Sequence, residues 1–177
     1  VLRNLCHSIH GMNGQGWDAL IGHIRELFVS ELEAPRYIAE RGEIVMSYQE
    51  KGNRLDLSSS GRGLQQTLLL LAYMYSNPGA ILLLDEPDAH LEILRQRQIY
   101  QLLTDVARKN ESQIIAASHS EVVLNEAAGR DLVVAFVGKP HRIGDRGSQV
   151  QKALRQIGFE QYYQAEQTGW VLYLEGS

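Results

Sequence analysis

Cysteine is almost absent from this chain. Of 177 residues only Cys6 is a cysteine, which excludes an internal disulfide framework and a cysteine-based zinc site. It also fits a reducing, cytoplasmic compartment. A long apolar run is missing too: no stretch approaches ~18 consecutive apolar residues, so no membrane span is expected. The run at residues 68–75 is too short for one and reads as a buried helix. A surplus of positive charge is lacking, since the formal net charge is -4, which argues against holding nucleic acid by bulk electrostatics. Finally, no G-x-x-x-x-G-K-[ST] occurs. "GMNGQGW" is glycine-rich, but it has neither the Lys-Ser/Thr pair nor a preceding apolar strand.

The rest is ordinary for a globular protein, at 44% hydrophobic and 21% charged residues. The first 30 residues read as helical, with Trp17, Leu20, Ile21, Ile24, Leu27 and Phe28 on one apolar face. Residues 35–57 change period, and their Arg-Gly-Glu and Lys-Gly-Asn turn signals predict an antiparallel hairpin and a third short strand. "SSSGRG" then leads into an apolar helix. Residues 81–84 form a continuous apolar run, as in a sheet covered on both faces. A helix over 90–109 follows, then a second buried strand in "SQIIAAS" ending at His119. A short helix closed by Gly129 and a third strand in "DLVVAFVG" come next. The pattern predicts an α/β fold: a mainly parallel sheet flanked by helices, with an N-terminal helical part and a small antiparallel hairpin. Past residue 140 a helix over 148–157 and the strand "WVLYLEG" are expected.

Three places carry chemistry. "LLLDEPDAHLE" runs an apolar strand into a cluster of acids. At the carboxyl end of a sheet strand, where ligands of open α/β folds bind, Asp85 suits Mg²⁺ and Glu86 suits an attacking water. The plainer reading is a soluble strand end before a proline turn. In "SSSGRG", Ser59, Ser60, Gly61, Arg62 and Gly63 precede a helix start, whose free N–H groups and dipole favour an anion; a simple N-cap needs only one serine. His119 ends the strand expected beside 81–84 and would share a sheet edge with Glu86. Alone, it reads as structural.

Together these elements resemble the second half of the ATP-binding-cassette ATPase fold, over roughly residues 40–140. "SSSGRG" resembles the signature loop, "AILLLDEP" the Walker B strand, "DAHLE" the D-loop and "ASHS" the switch histidine. The signature and D-loop variants look more like the DNA-associated branch than the transporters. "GWVLYLEGS" resembles the opening strand of a Toprim domain, and an ATPase running into Toprim is similar to the OLD (overcoming lysogenisation defect) ATP-dependent endonucleases. The resemblance implies an ATPase part over 1–140, a connector and first Toprim strand over 141–177, and a longer parent whose P-loop lies upstream. It implies ATP and Mg²⁺ as cofactors and a dimer with a second copy, each contributing its signature residues in trans. Asp85 would bind Mg²⁺, Glu86 and His119 would be catalytic, and Ser59, Ser60, Gly61, Arg62 and Gly63 would hold the partner's ATP. Asp88, His90 and Glu92 would belong to the D-loop, and Glu175 would be a Toprim metal acid. DNA would be reached through the full-length protein, and the fragment alone would be inactive. Alternatives are a DNA-tethering ATPase of the structural-maintenance-of-chromosomes type, a transporter-type subunit and a degenerate cassette used for dimerisation. A metal hydrolase built on Asp85, His90 and His119 is a further one.

Overall fold

The computed structural model describes residues 1–128, 130–136 and 140–143. The expected helix over 148–157, the strand "WVLYLEG", Gly129 and Glu175 lie outside the described residues. The chain divides into two units, Val1–Leu83 with Leu103–Ile115, and Leu84–Leu102 with Ala116–Ser177.

In the first unit the helical start is two helices, α1 (Leu2–Met12) and α2 (Gly14–Phe28). Asn13 separates them; its Oδ1 accepts from the Gly16 N–H at 2.9 Å and caps α2. Both pack against α3 (Arg62–Ser76) and against each other. Trp17, Leu20 and Ile24 are buried, as the helical spacing predicts. They share the core with Cys6, Met46, Leu68, Leu71 and Met74.

The antiparallel part is larger than the expected hairpin with a third strand. Strand β2 (Arg36–Ile38) pairs with β3 (Glu43–Val45), and β1 (Glu31–Leu32), β4 (Ser47–Glu50) and β5 (Asn53–Asp56) form a second sheet in the order β1-β4-β5. Lys51 and Gly52 join β4 to β5 with φ of 50° and 79°, and positive φ at both positions is the mark of a type I′ hairpin turn. Arg3 ties α1 to both sheets, through the Ile44 carbonyl at 3.2 Å and the Asp56 carboxylate at 2.6 Å.

Strand β6 (Ile81–Asp85), helix α4 (Ile93–Lys109) and strand β7 (Gln113–Ala117) follow, and the division between units falls inside all three. β6 and β7 are paired. Gln113 donates to the Ala80 carbonyl at 2.9 Å, and Glu86 donates to that of Ala117 at 2.9 Å. The partners advance together along both strands, so the pair is parallel, with α4 as its crossover. The α/β fold class therefore holds. Cover on both faces does not: Ile81 is 63%, Leu83 76% and Ile115 61% exposed, while Leu82 is buried. The second strand ends at Ala117 rather than at His119. The third strand is β8 (Val133–Ala135), and its partner is β9 (His141–Ile143), antiparallel. Helix α5 (Glu121–Ala127) lies between β7 and β8 in sequence.

Candidate functional site

The loop before α3 belongs to the first unit and is closed by its own hydrogen bonds. Asp56 accepts from the Ser58 N–H at 2.8 Å and from its hydroxyl at 2.6 Å, which starts a short 3-10 turn over Leu57–Ser59. Those two bonds, with a smaller contribution from Arg3, hold the Asp56 carboxyl below the usual aspartate range. Ser60 is buried, and its hydroxyl donates to the Leu57 carbonyl at 2.8 Å. The Gln65 amide, one turn into α3, donates to the Ser60 carbonyl at 2.9 Å. Carbonyls and the Ser60 hydroxyl are thus drawn inward. Ser59, Gly61 and Arg62 remain exposed, and Gly63 is buried. Gly61 is the N-cap of α3 and no side chain caps its first turn. A 15-residue helix opening on uncapped N–H groups beside an exposed hydroxyl and guanidinium suits an anion. Gln65 carried no signal in the sequence, because glutamine on a helix is common and neutral.

The second unit holds the acids. Asp85, the last residue of β6, is exposed. Glu86 follows with φ 49°, in the left-handed region that costs a non-glycine residue roughly 1–2 kcal/mol. His119 Nδ1 lies 2.7 Å from Glu86 Oε1. A carboxylate oxygen accepts, so in this hydrogen bond Nδ1 is the donor. The histidine side chain is largely exposed, so the pair fixes orientation more than it stabilises the fold. His90 and Glu92 are exposed, and His90 has φ 64°. Asp88 is buried, and its Oδ1 has no hydrogen-bond partner among the described residues.

The structure therefore brings Glu86 and His119 together beside Asp85, at the carboxyl ends of two parallel strands. The loop over 57–63 falls in the other unit. Glu175 is outside the described residues. Among the described residues no three His, Cys, Asp or Glu side chains cluster as a metal cage. Asp85, His90 and His119 are therefore not gathered into one three-ligand site there. No helix among the described residues is long and apolar enough to cross a membrane.

The "Galactose/methyl galactoside import ATP-binding protein MglA" of Shigella boydii serotype 4 (strain Sb227) is 29% identical over 113 residues, 62% of this chain and 22% of that protein. The protein of the same name from Yersinia pestis bv. Antiqua (strain Antiqua) is 32% identical over 79 residues, 45% of this chain and 15% of that protein. The matched part thus spans about a fifth of the length of these curated relatives. Among solved structures, the Smc head domain with a coiled coil and joint from Pyrococcus yayanosii aligns at a TM-score of 0.55 and 19% identity, over 81% of this chain and 29% of that one. A chain solved in work on "ATP-driven dimerization and DNA stimulated activation of SMC ATPases" aligns at 0.53 and 16% identity, over 90% of this chain and 96% of that one. These likenesses show the fold. Residues 23–125, more than half of the chain, match the family described as "AAA domain, putative AbiEii toxin, Type IV TA system". The chain belongs to that family, AAA_21, an AAA-type ATPase domain; it is similar over part of its length to ABC-type import proteins and has the fold of SMC heads.

Proposed function

We propose that this chain carries the hydrolytic acids and the signature loop of an ATPase that works as a dimer. Asp85 holds Mg²⁺ together with waters and phosphate oxygens. Glu86 orients and deprotonates the attacking water. His119 meets the γ-phosphate as an imidazolium, its Nε2–H donating to a phosphate oxygen while Nδ1–H stays on Glu86. Ser59, Gly61, Arg62 and the N–H groups that open α3 take the γ-phosphate of ATP held by a second copy, with Ser60 and Gly63 shaping that loop. Asp88, His90 and Glu92 link the two composite sites. ATP and Mg²⁺ supply the charge and the leaving group; the residues named here bind, orient and move a proton. Loose phosphoryl-transfer transition states depend on that kind of positioning and charge neutralisation.

The observation that supports this reading most is the 2.7 Å contact between Glu86 and His119 beside Asp85, at a parallel strand end. The test is Glu86→Gln in the full-length protein. Turnover should fall ~10²–10⁴-fold, the usual contribution of general-base catalysis, with ATP still bound. Near-normal hydrolysis would refute the assignment.

The finer reading is an OLD-type ATP-dependent endonuclease that reaches DNA through the full-length protein, with residues 141–177 leading into a Toprim domain and Glu175 as its first acid. The test is Mg²⁺-dependent nicking of plasmid DNA, which Glu175→Ala should abolish while ATP hydrolysis continues. A protein that hydrolyses ATP and never nicks would instead favour a DNA-tethering ATPase, the reading supported by the likeness to SMC heads.

A further inference from the structure

The motifs pass over Gln96, one turn into α4, yet its side chain joins the two loops that carry Glu86 and His119. Its Nε2 donates to the Leu91 carbonyl at 3.0 Å. Its Oε1 accepts from the Ser120 hydroxyl at 2.7 Å. Ser120 Oγ in turn accepts from the N–H groups of Val122 at 3.2 Å and Val123 at 3.3 Å, capping α5. The Ser120 N–H donates to Ser118 Oγ at 3.0 Å, so the turn around His119 is held on both sides.

These bonds run in one direction. A hydroxyl has a single proton, and that of Ser120 is committed to Gln96 while its lone pairs serve α5. The Leu91 carbonyl can only accept, so the Gln96 amide has one usable orientation. Donors therefore point in sequence from the start of α5, through Ser120 and Gln96, to the carbonyl of Leu91. Bonds chained this way strengthen one another, and each loses more than its own share when a neighbour breaks. At one end stands the segment over 85–92, with Glu86 and His90 at positive φ and Asp88 buried. At the other stands His119. The direct tie between these loops, Glu86 to His119, is exposed on the histidine side. The tie through Gln96 is half-buried and so less open to water.

We propose that Gln96 is a positioning residue that links the place of His119 to the shape of the 85–92 loop. A shift of His119 draws on Ser120, and through the Gln96 amide on the Leu91 carbonyl. The stretch Asp88 to Glu92 then responds to what His119 touches. This rests on the assignment of Glu86 and His119 to ATP hydrolysis.

Two variants separate the links. Gln96→Glu keeps an acceptor for Ser120 and sets a second acceptor against the Leu91 carbonyl. Gln96→Met removes both links at similar length. Amide hydrogen exchange without nucleotide should show faster opening of residues 86–92 in both variants, and of residues 120–123 in Gln96→Met alone. In the full-length protein both should lower kcat by roughly 2- to 30-fold, the usual range for residues that carry coupling. KM for ATP should stay within about twofold and the melting temperature should hold. Combined with His119→Ala, neither should cause further loss, because Gln96 carries what His119 touches. Unchanged kcat and exchange in both variants would overturn the proposal. So would a loss of kcat accompanied by global loss of exchange protection and a lower melting temperature, which marks a purely structural role. If Glu86→Gln itself hydrolyses ATP normally, the hydrolytic reading fails and this inference falls with it. If Glu86→Gln is dead while Gln96→Met is wild type, only this inference fails.

Discussion

The loop over 57–63 and the loop over 85–92 both lead from a short element into a long helix, and they are built on opposite terms. The first is closed by its own bonds: Asp56 to Ser58, Ser60 to Leu57, Gln65 to Ser60. None of its non-glycine residues has positive φ. The second holds two non-glycine residues at positive φ and a buried carboxylate oxygen that nothing among the described residues satisfies. Their settings differ as well. Among the described residues, the largest fully buried side chains, Leu20, Ile24, Met46, Leu68, Leu71 and Met74 with Thr67 and Cys6, all belong to the first unit. A self-satisfied loop on a closed core suits a rigid cradle. A strained loop suits a segment whose shape depends on what it meets, since strain persists where function requires it.

The sharpest way to break this comparison is to open the core beneath the first loop. Leu71→Ala removes a fully buried side chain of α3 and should cost about 2–5 kcal/mol, the range for such truncations. Chemical denaturation measures it. A loss under about 1 kcal/mol would show that the first unit is not the closed core described here.

Next in size is Asp88→Asn. The substitution keeps the shape and removes one formal charge at a buried position. Stability should rise by less than the about 1–3 kcal/mol penalty of an unsatisfied buried polar group, because the amide remains polar, while turnover of the full-length protein falls. A stability loss would mean that Asp88 is satisfied and the loop is not strained at that point. Ser60→Ala should act in the opposite direction. It removes the 2.8 Å bond to Leu57 and should cost about 1 kcal/mol. Ser59→Ala, at an exposed position, should leave stability unchanged and weaken the response to ATP. Equal effects of the two serines would erase the distinction between the outward and the inward hydroxyl.

Much of this was legible in the sequence, and the remainder has physical reasons for being hidden. Helix α2 announced itself by period, α3 by its apolar run after a polar entry, and the acids of 85–88 by following an apolar strand. The apolar run at 81–84 predicted a strand but not its surroundings: Ile81 and Leu83 are exposed because periodicity reports which faces are apolar, not what covers them. Two hairpins stand where one with a third strand was expected, because strands of three or four residues are too short to show alternation. The roles of Gln65 and Gln96 could not be read at all. A glutamine on a helix surface looks the same whether it faces water or bridges two loops, and only the partners distinguish the cases.

The smallest expected effect concerns pH, and it has opposite signs in the two units. In the first, His23 Nε2 lies 3.1 Å from the Tyr75 hydroxyl. Partial burial lowers its pKa below the ordinary value, Glu26 pulls it back up and Lys109 lowers it further. A histidine depressed in the folded state takes up its proton more readily once unfolded. The unfolded chain then binds more protons as pH falls below about 6.5, and stability declines with it. In the second unit, burial raises the Glu121 carboxyl above its ordinary value. Here the folded state holds the proton more tightly, so stability rises as pH falls from the raised value toward the unfolded one. Denaturation midpoints between about pH 7 and 5 in His23→Gln and Glu121→Gln separate the two contributions. The first variant should flatten the decline on acidification and the second should steepen it. Identical profiles for both variants and the wild type would mean that neither side chain changes environment on unfolding. Since His23 packs among α2 and α3, that outcome would count against the closed core of the first unit as well.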